Sequence, residues 1–217
     1  MFLLNLLQNP IFFVVFLVAL VVAITVHEYA HALVANRLGD STPKYMGRVT
    51  LNPLAHLDPL GTLFLFIAGF GWGKPVPINP RNFRKREDEI KVALAGIIAN
   101  ILMAIIIGIP IRIAILQGIP IESSTFLSVL NFAVEINIVL AAFNLLPIYP
   151  LDGSHLIEYL LHDSPAIQYY REIGPYLLFI MVFLGRTSGL SVISIILEPL
   201  MRVLSFIAKG TFSLYSF

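Results

Sequence analysis

The run from Ile11 to Val26 is apolar apart from Thr25, and it leads into Val26-His27-Glu28-Tyr29-Ala30-His31-Ala32-Leu33. Continued to Asn36, it is long enough to cross a bilayer core, which needs about 20 residues. Lipid offers no partner to a backbone N–H or C=O, so only helices and closed barrels cross it. A run of this kind commits the chain to a helix. That helix then carries two imidazoles and a carboxylate, groups that are costly inside a membrane and mark function when they occur there.

The rest of the chain agrees with a membrane setting. Its 217 residues are 58% hydrophobic and 12% charged, with a mean hydropathy of +0.86. Soluble domains carry about 25% charged residues. The net charge of +1 gives no reason to expect a nucleic-acid partner. There is no cysteine, which excludes a disulfide framework, a thiolate metal site and a cysteine nucleophile. Met1 to Pro10 contains no Lys or Arg, so the first run reads as a span and not as a leader. No repeat, low-complexity stretch or long polar insertion divides the chain, which predicts a single domain over residues 1–217.

Four longer apolar segments read as spans: Pro10–Asn36, Ile90–Leu116, Thr125–Leu146 and Leu190–Ala208. Leu60–Trp72 is too short to cross and reads as re-entrant or interfacial. Gly174–Leu184, with Ala166–Ile173 before it, is a candidate sixth element. The prediction is an all-α polytopic membrane protein of about five to six membrane segments. Lys44–Leu51 and Lys74–Asn79 are β-like and predict a small cytoplasmic-side β-sheet, whose open edge could take a substrate strand; a pair of irregular loops is the alternative.

Nine of the 14 Lys and Arg residues lie from Arg37 to Lys91, namely Arg37, Lys44, Arg48, Lys74, Arg81, Arg84, Lys85, Arg86 and Lys91, whereas Gln117–Ser124 has no cation. The positive-inside rule places Arg37–Lys91 in the cytoplasm and the N-terminus outside. His27 lies nine residues before Asn36, about 14 Å from the cytoplasmic end at 1.5 Å per residue. The polar cluster therefore sits inside the membrane, on its cytoplasmic half.

His27 and His31 are four apart and share a helix face. H-E-x-x-H on a helix can hold a zinc ion between the imidazoles with the Glu beside it as a base. Two histidines bonded to neighbouring helices is the bland alternative, which leaves Glu28 unexplained. A catalytic zinc usually takes three protein ligands. Asp152, in Asn144-Leu145-Leu146-Pro147-Ile148-Tyr149-Pro150-Leu151-Asp152-Gly153, is the candidate third. Pro147 and Pro150 break the helix where Thr125–Leu146 returns to the cytoplasmic half, and Gly153 permits close backbone approach. A helix N-cap is the alternative role for Asp152; His56 and His155 are the next candidates for the third ligand.

HEYAH in an apolar span followed by NLLPIYPLDG resembles the site-2 protease family of intramembrane zinc metalloproteases. Gly47–Gly61 (GRVTLNPLAHLDPLG) and Phe70–Pro77 (FGWGKPVP) resemble a compact prokaryotic branch without a PDZ or CBS domain. The resemblance covers roughly Val26–Ser154. It implies one zinc per chain on His27, His31 and Asp152, with Glu28 as catalytic base and acid and Asn144 helping to polarise the substrate carbonyl. It also implies a transmembrane protein substrate, a cell-membrane location and hydrolysis of peptide bonds in or near spans. One departure is Ala95-Gly96-Ile97-Ile98-Ala99-Asn100, where the family often has a Pro after Ala-Gly. A membrane zinc transporter is the alternative function; it needs polar groups through both leaflets, and here they lie at one depth.

Other residues carry weaker expectations. Ala95, Gly96, Ala99, Asn100 and Ala104 allow close helix approach. Asn137, two turns before Asn144, is a candidate cavity residue, and Glu135 a candidate structural ion with no partner legible. His56 could face the cavity or be an ordinary loop histidine, His155 could orient Asp152, and His162 reads as interfacial.

Overall fold

A computed structural model of the chain describes residues 10–68, 71–162, 164–188 and 192–214. Within these, eight helices form and no strand does. We label them α1 (Pro10–Leu38), α2 (Thr42–Tyr45), α3 (Pro59–Ala68), α4 (Asp88–Leu116), α5 (Thr125–Asn144), α6 (Ser154–Leu160), α7 (Ala166–Ser188) and α8 (Val192–Lys209). Three of them, α1 from Phe12, α4 and α5, are long and apolar enough to cross a membrane.

α4 is central and packs against α1, α5 and α8. Its buried line, Gly96, Asn100, Ala104, Gly108 and Ile111, recurs every three or four residues and is mostly small. Small residues let backbones approach, which is how helices associate where lipid is as apolar as a side chain. At Gly108 a Cβ would lie 2.5 Å from the carbonyl oxygen of Ala208 on α8. One apolar core joins Ile97 and Ile111 of α4 to Val134 and Ile138 of α5 and Leu197 and Leu204 of α8. A second joins Phe16 and Ala23 of α1 to Phe132 and Ile136 of α5.

The remaining segments differ in how they follow the sequence reading. Leu60–Trp72 holds α3, whose ten residues rise about 15 Å; Gly69 and Phe70 lie outside the described residues. α7 unites Ala166–Ile173 with Gly174–Leu184 in one helix that runs through Pro175. α8 covers the expected Leu190–Ala208 except Leu190 and Ser191, which are outside the described residues, and it carries Glu198, Arg202 and Lys209. Residues 1–9, on which the leader reading turns, are outside them as well.

The expected β-sheet is absent among the described residues. Pro43 lies in the first turn of the short helix α2, and Gly47, at φ +69°, turns the chain where a strand would have to continue. Lys74–Asn79 is extended but unpaired; only a single antiparallel bridge, Leu57 to Gly73, forms beside it. Pro75 and Pro77 remove alternate donors that a ladder requires.

Candidate metal centre

α1 places His27 and His31 one turn apart on the face it turns to α4, both buried. Their rings lie edge to face with centroids 4.6 Å apart. His27 Nδ1 is 2.6 Å from Asn100 Oδ1, and His31 Nδ1 is 2.7 Å from the carbonyl oxygen of Val92. A carbonyl can only accept. Asn100 spends its amide nitrogen on Ala23 O (3.2 Å) and Asn137 Oδ1 (3.0 Å), so its Oδ1 also faces His27 as an acceptor. Both Nδ1 atoms are therefore the protonated ones, and each Nε2 carries a lone pair.

Those lone pairs meet. The two Nε2 atoms are 3.0 Å apart, and Asp152 Oδ2 lies 3.1 Å from that of His27 and 3.3 Å from that of His31. Asp152 Oδ2 is buried with no hydrogen-bond partner. Three acceptor atoms turned on one another repel unless a cation lies among them. Two imidazole nitrogens and one carboxylate oxygen form a donor set that suits zinc. Among the described residues this is the group of His and acidic side chains whose donor atoms converge closely enough to hold a metal ion.

Asp152 reaches this position because α5 ends at Asn144 and the chain folds back: the N–H of Gly153 donates to the carbonyl of Asn144 at 2.7 Å. A Cβ at position 153 would lie 2.4 Å from Leu145 O and 2.6 Å from Leu146 O, so only glycine fits. Asp152 does not cap α6: the N-cap residue is Gly153, and no side chain caps there. Gly96 is equally constrained, since a Cβ there would sit 2.4 Å from His31 Nε2 and 2.6 Å from His27 Cε1. Sequence reasoning saw Gly96 as helix packing and missed that it makes room for the imidazoles.

A cleft of about 740 Å³ opens on the three donor atoms. Glu28, Asn144 and His155 line it, with Val76 of the extended Gly73–Asn79 segment on one wall and Phe179 of α7 on another. Asn144 donates one amide hydrogen to Leu140 O at 3.0 Å. His155 lies 3.5 Å from Glu158 and not with the three donor atoms. His56 is fully buried, donates to Thr50 O at 2.8 Å and does not line the cleft. Neither does His162. Asn137, expected at the cavity, is buried behind it, where its Oδ1 holds Asn100. Glu135 acquires a partner that no local pattern predicts: it is ion-paired with Lys209 at the end of α8, which also donates to Asn131 Oδ1 at 2.8 Å.

Comparisons with known proteins bear on the family to which the chain belongs. The family model described as peptidase family M50 matches residues 107–185, which include Asn144 and Asp152. The chain is 36% identical to a Bacillus subtilis protein named "Putative zinc metalloprotease YwhC", over 85% of this chain and 93% of that one. It is 29% identical to "Putative zinc metalloprotease Rip2" of Mycolicibacterium smegmatis, over 75% of this chain and 62% of the relative. It is 24% identical to "Zinc metalloprotease MJ0392" of Methanocaldococcus jannaschii, over 85% of this chain and 47% of the relative. No solved structure matches. With a relative of this identity spanning nearly its whole length, the chain belongs to peptidase family M50, the site-2 protease family.

Proposed function

We propose that this protein is a zinc-dependent intramembrane endopeptidase that hydrolyses peptide bonds in or near the spans of membrane proteins. Its family and the names of its relatives support a metalloprotease and give no support to a zinc transporter. The observation that carries the reading is the set of three converging lone-pair donors, His27, His31 and Asp152, with Glu28 beside them on the same cleft.

Those three residues would hold one zinc per chain. When bound, zinc supplies a Lewis acid for a carbonyl oxygen and makes water nucleophilic near neutral pH. Glu28 takes a proton from the attacking water on a carboxylate oxygen and returns it to the departing amine nitrogen. Asn144 has a second amide hydrogen beyond the one given to Leu140, available to the oxygen of the scissile carbonyl as charge develops there. A helical substrate hides its carbonyls in its own hydrogen bonds, so it must unwind locally before attack.

The whole chain acts as one catalytic domain in the cell membrane. The cations from Arg37, at the end of α1, to Lys91, at the start of α4, put that side in the cytoplasm, the N-terminus outside and the site on the cytoplasmic half. On this reading α3, which exposes Leu60, Leu63, Phe64 and Phe66, dips into the cytoplasmic leaflet and returns. α8 packs beside α4 with its Glu198–Arg202 pair.

The test is zinc per chain in detergent after dialysis against a weak chelator, together with cleavage of a single-span reporter. Wild type should retain about one zinc and cleave. Asp152→Ala should lose the metal, and Glu28→Gln should keep it but cleave about 1,000-fold more slowly. Folded wild type that retains no zinc, or Glu28→Gln cleaving at the wild-type rate, overturns the reading.

A further inference from the structure

Arg48 is a buried cation outside the donor set, 5% exposed, in the loop after α2. Its Nη1 donates to Pro75 O at 2.8 Å, and its Nη2 donates to Lys74 O and lies 4.0 Å from Glu28 Oε2. The guanidinium fork thus bridges two places at once, the segment Gly73–Asn79 and the carboxylate on α1. A guanidinium has fixed planar geometry and five N–H groups, so one such residue can hold several acceptors in register.

The segment it holds needs holding. Gly73, Pro75, Val76 and Ile78 line the cleft. Two prolines and the absence of a paired strand leave it anchored at its ends, by the Leu57–Gly73 bridge with its bond from Lys74 N to His56 O (2.8 Å) and by the bond from Asn79 N to Asp40 Oδ2 (2.8 Å), with Arg48 holding the stretch between. It also runs beside the base, with room at Gly73 for little more than a methyl group between them: a Cβ there would lie 3.4 Å from Glu28 Oε1. A cleft wall that shifts would therefore shift against Glu28.

We propose that Arg48 is a positioning residue that ties the Gly73–Asn79 wall to Glu28, so that the substrate-lining backbone and the catalytic carboxylate are set by one side chain. This rests on the metalloprotease reading above. Loss of the fork frees the wall and lets Glu28 turn; misplacing a reacting group by about 1 Å can cost on the order of 100-fold in rate. A lysine at this position keeps the charge beside Glu28, but its ammonium on a flexible stem does not reproduce the planar fork on the two carbonyls.

The experiment compares Arg48→Met, Arg48→Lys, Glu28→Gln and wild type in detergent, measuring zinc per chain, kcat and KM on a single-span reporter. Acrylamide quenching of Trp72 adds a readout that needs no turnover. Trp72 is the one tryptophan of the chain and directly precedes the wall. Arg48→Met should keep its zinc, lose about 100-fold in kcat and show a raised KM, since the freed wall lines the cleft. Arg48→Lys should recover about tenfold of that loss while KM stays raised, because the charge is restored and the fork is not. Trp72 should become more quenchable in both. Loss of zinc in Arg48→Lys, equal kcat loss in the two variants, or unchanged Trp72 quenching would overturn the proposal. A wild type that binds zinc but cleaves nothing counts against the protease reading, and Trp72 quenching then decides the wall tether by itself.

Discussion

His27 and Asn100 lie 73 positions apart and meet across α1 and α4, Nδ1 to Oδ1, at 2.6 Å. Asn100 is in turn held by Ala23 O and Asn137 Oδ1, so its oxygen cannot swing away. This fixes which nitrogen of His27 carries the proton and leaves Nε2 free for a metal. Residues that orient a ligating histidine are commonly worth 10- to 100-fold in metal affinity. Asn100→Ala should weaken zinc binding by about that factor, read by competition with a chromogenic chelator. Undiminished affinity would mean the imidazole needs no such partner.

Gly96→Ala tests the space beneath the imidazoles. The added methyl would overlap both rings. Overpacking costs about 1–3 kcal/mol, and here it also displaces His31 Nε2, so zinc retention should fall with stability. Gly108→Ala is the control. It collides with Ala208 O at the α4–α8 contact, away from the donor atoms, and should lower the melting temperature while zinc is retained. Both variants keeping full zinc would remove the ligand-clearance role.

The Glu135–Lys209 pair joins α5 to the end of α8 with side chains 0% and 1% exposed. Removing one member of a buried pair strands the other charge, at a cost of about 3–5 kcal/mol, whereas removing both is often near neutral. Lys209→Met should therefore destabilise strongly in thermal unfolding, and Glu135→Leu combined with it should restore most of the loss. A double variant as unstable as the single one would show that the pair is held by something other than charge compensation.

Asp40 gives a pH dependence outside the spans. Burial raises its carboxyl, but hydrogen bonds from Thr42, Asn82 and Asn79 outweigh burial and hold it below the usual carboxylate range. A folded pKa below the unfolded value of about 3.9 stabilises fully above that value. The contribution is lost as pH falls through the folded pKa. Wild type should exceed Asp40→Asn in stability at pH 6 by about 1–3 kcal/mol, and the gap should close below about pH 4. A gap that does not change with pH would place the effect in shape and not in charge.

Much of the site was legible because its information is local or compositional. Four-residue spacing puts His27 and His31 on one face whatever surrounds them, and a run of apolar residues forces a helix because lipid leaves the backbone no other partner. The Pro147–Pro150 break and Gly153 marked where α5 must end and the chain must pass closely, and Asp152 follows from that. The β-sheet was misread because alternation in Lys44–Leu51 and Lys74–Asn79 is a weak signal, and Pro43, Gly47, Pro75 and Pro77 outweigh it.

What the sequence determined by itself is the membrane setting, the helical class, the histidine pair and the turn that returns Asp152, all of which rest on periodicity and on local backbone constraint. Tertiary structure alone decided which nitrogen of each histidine is free, why position 96 has no side chain, that Asn137 supports Asn100 and does not face the cleft, and that the buried cations Arg48 and Lys209 find partners. Those depend on contacts between residues tens of positions apart. No spacing rule encodes them, since they exist only once the helices are packed.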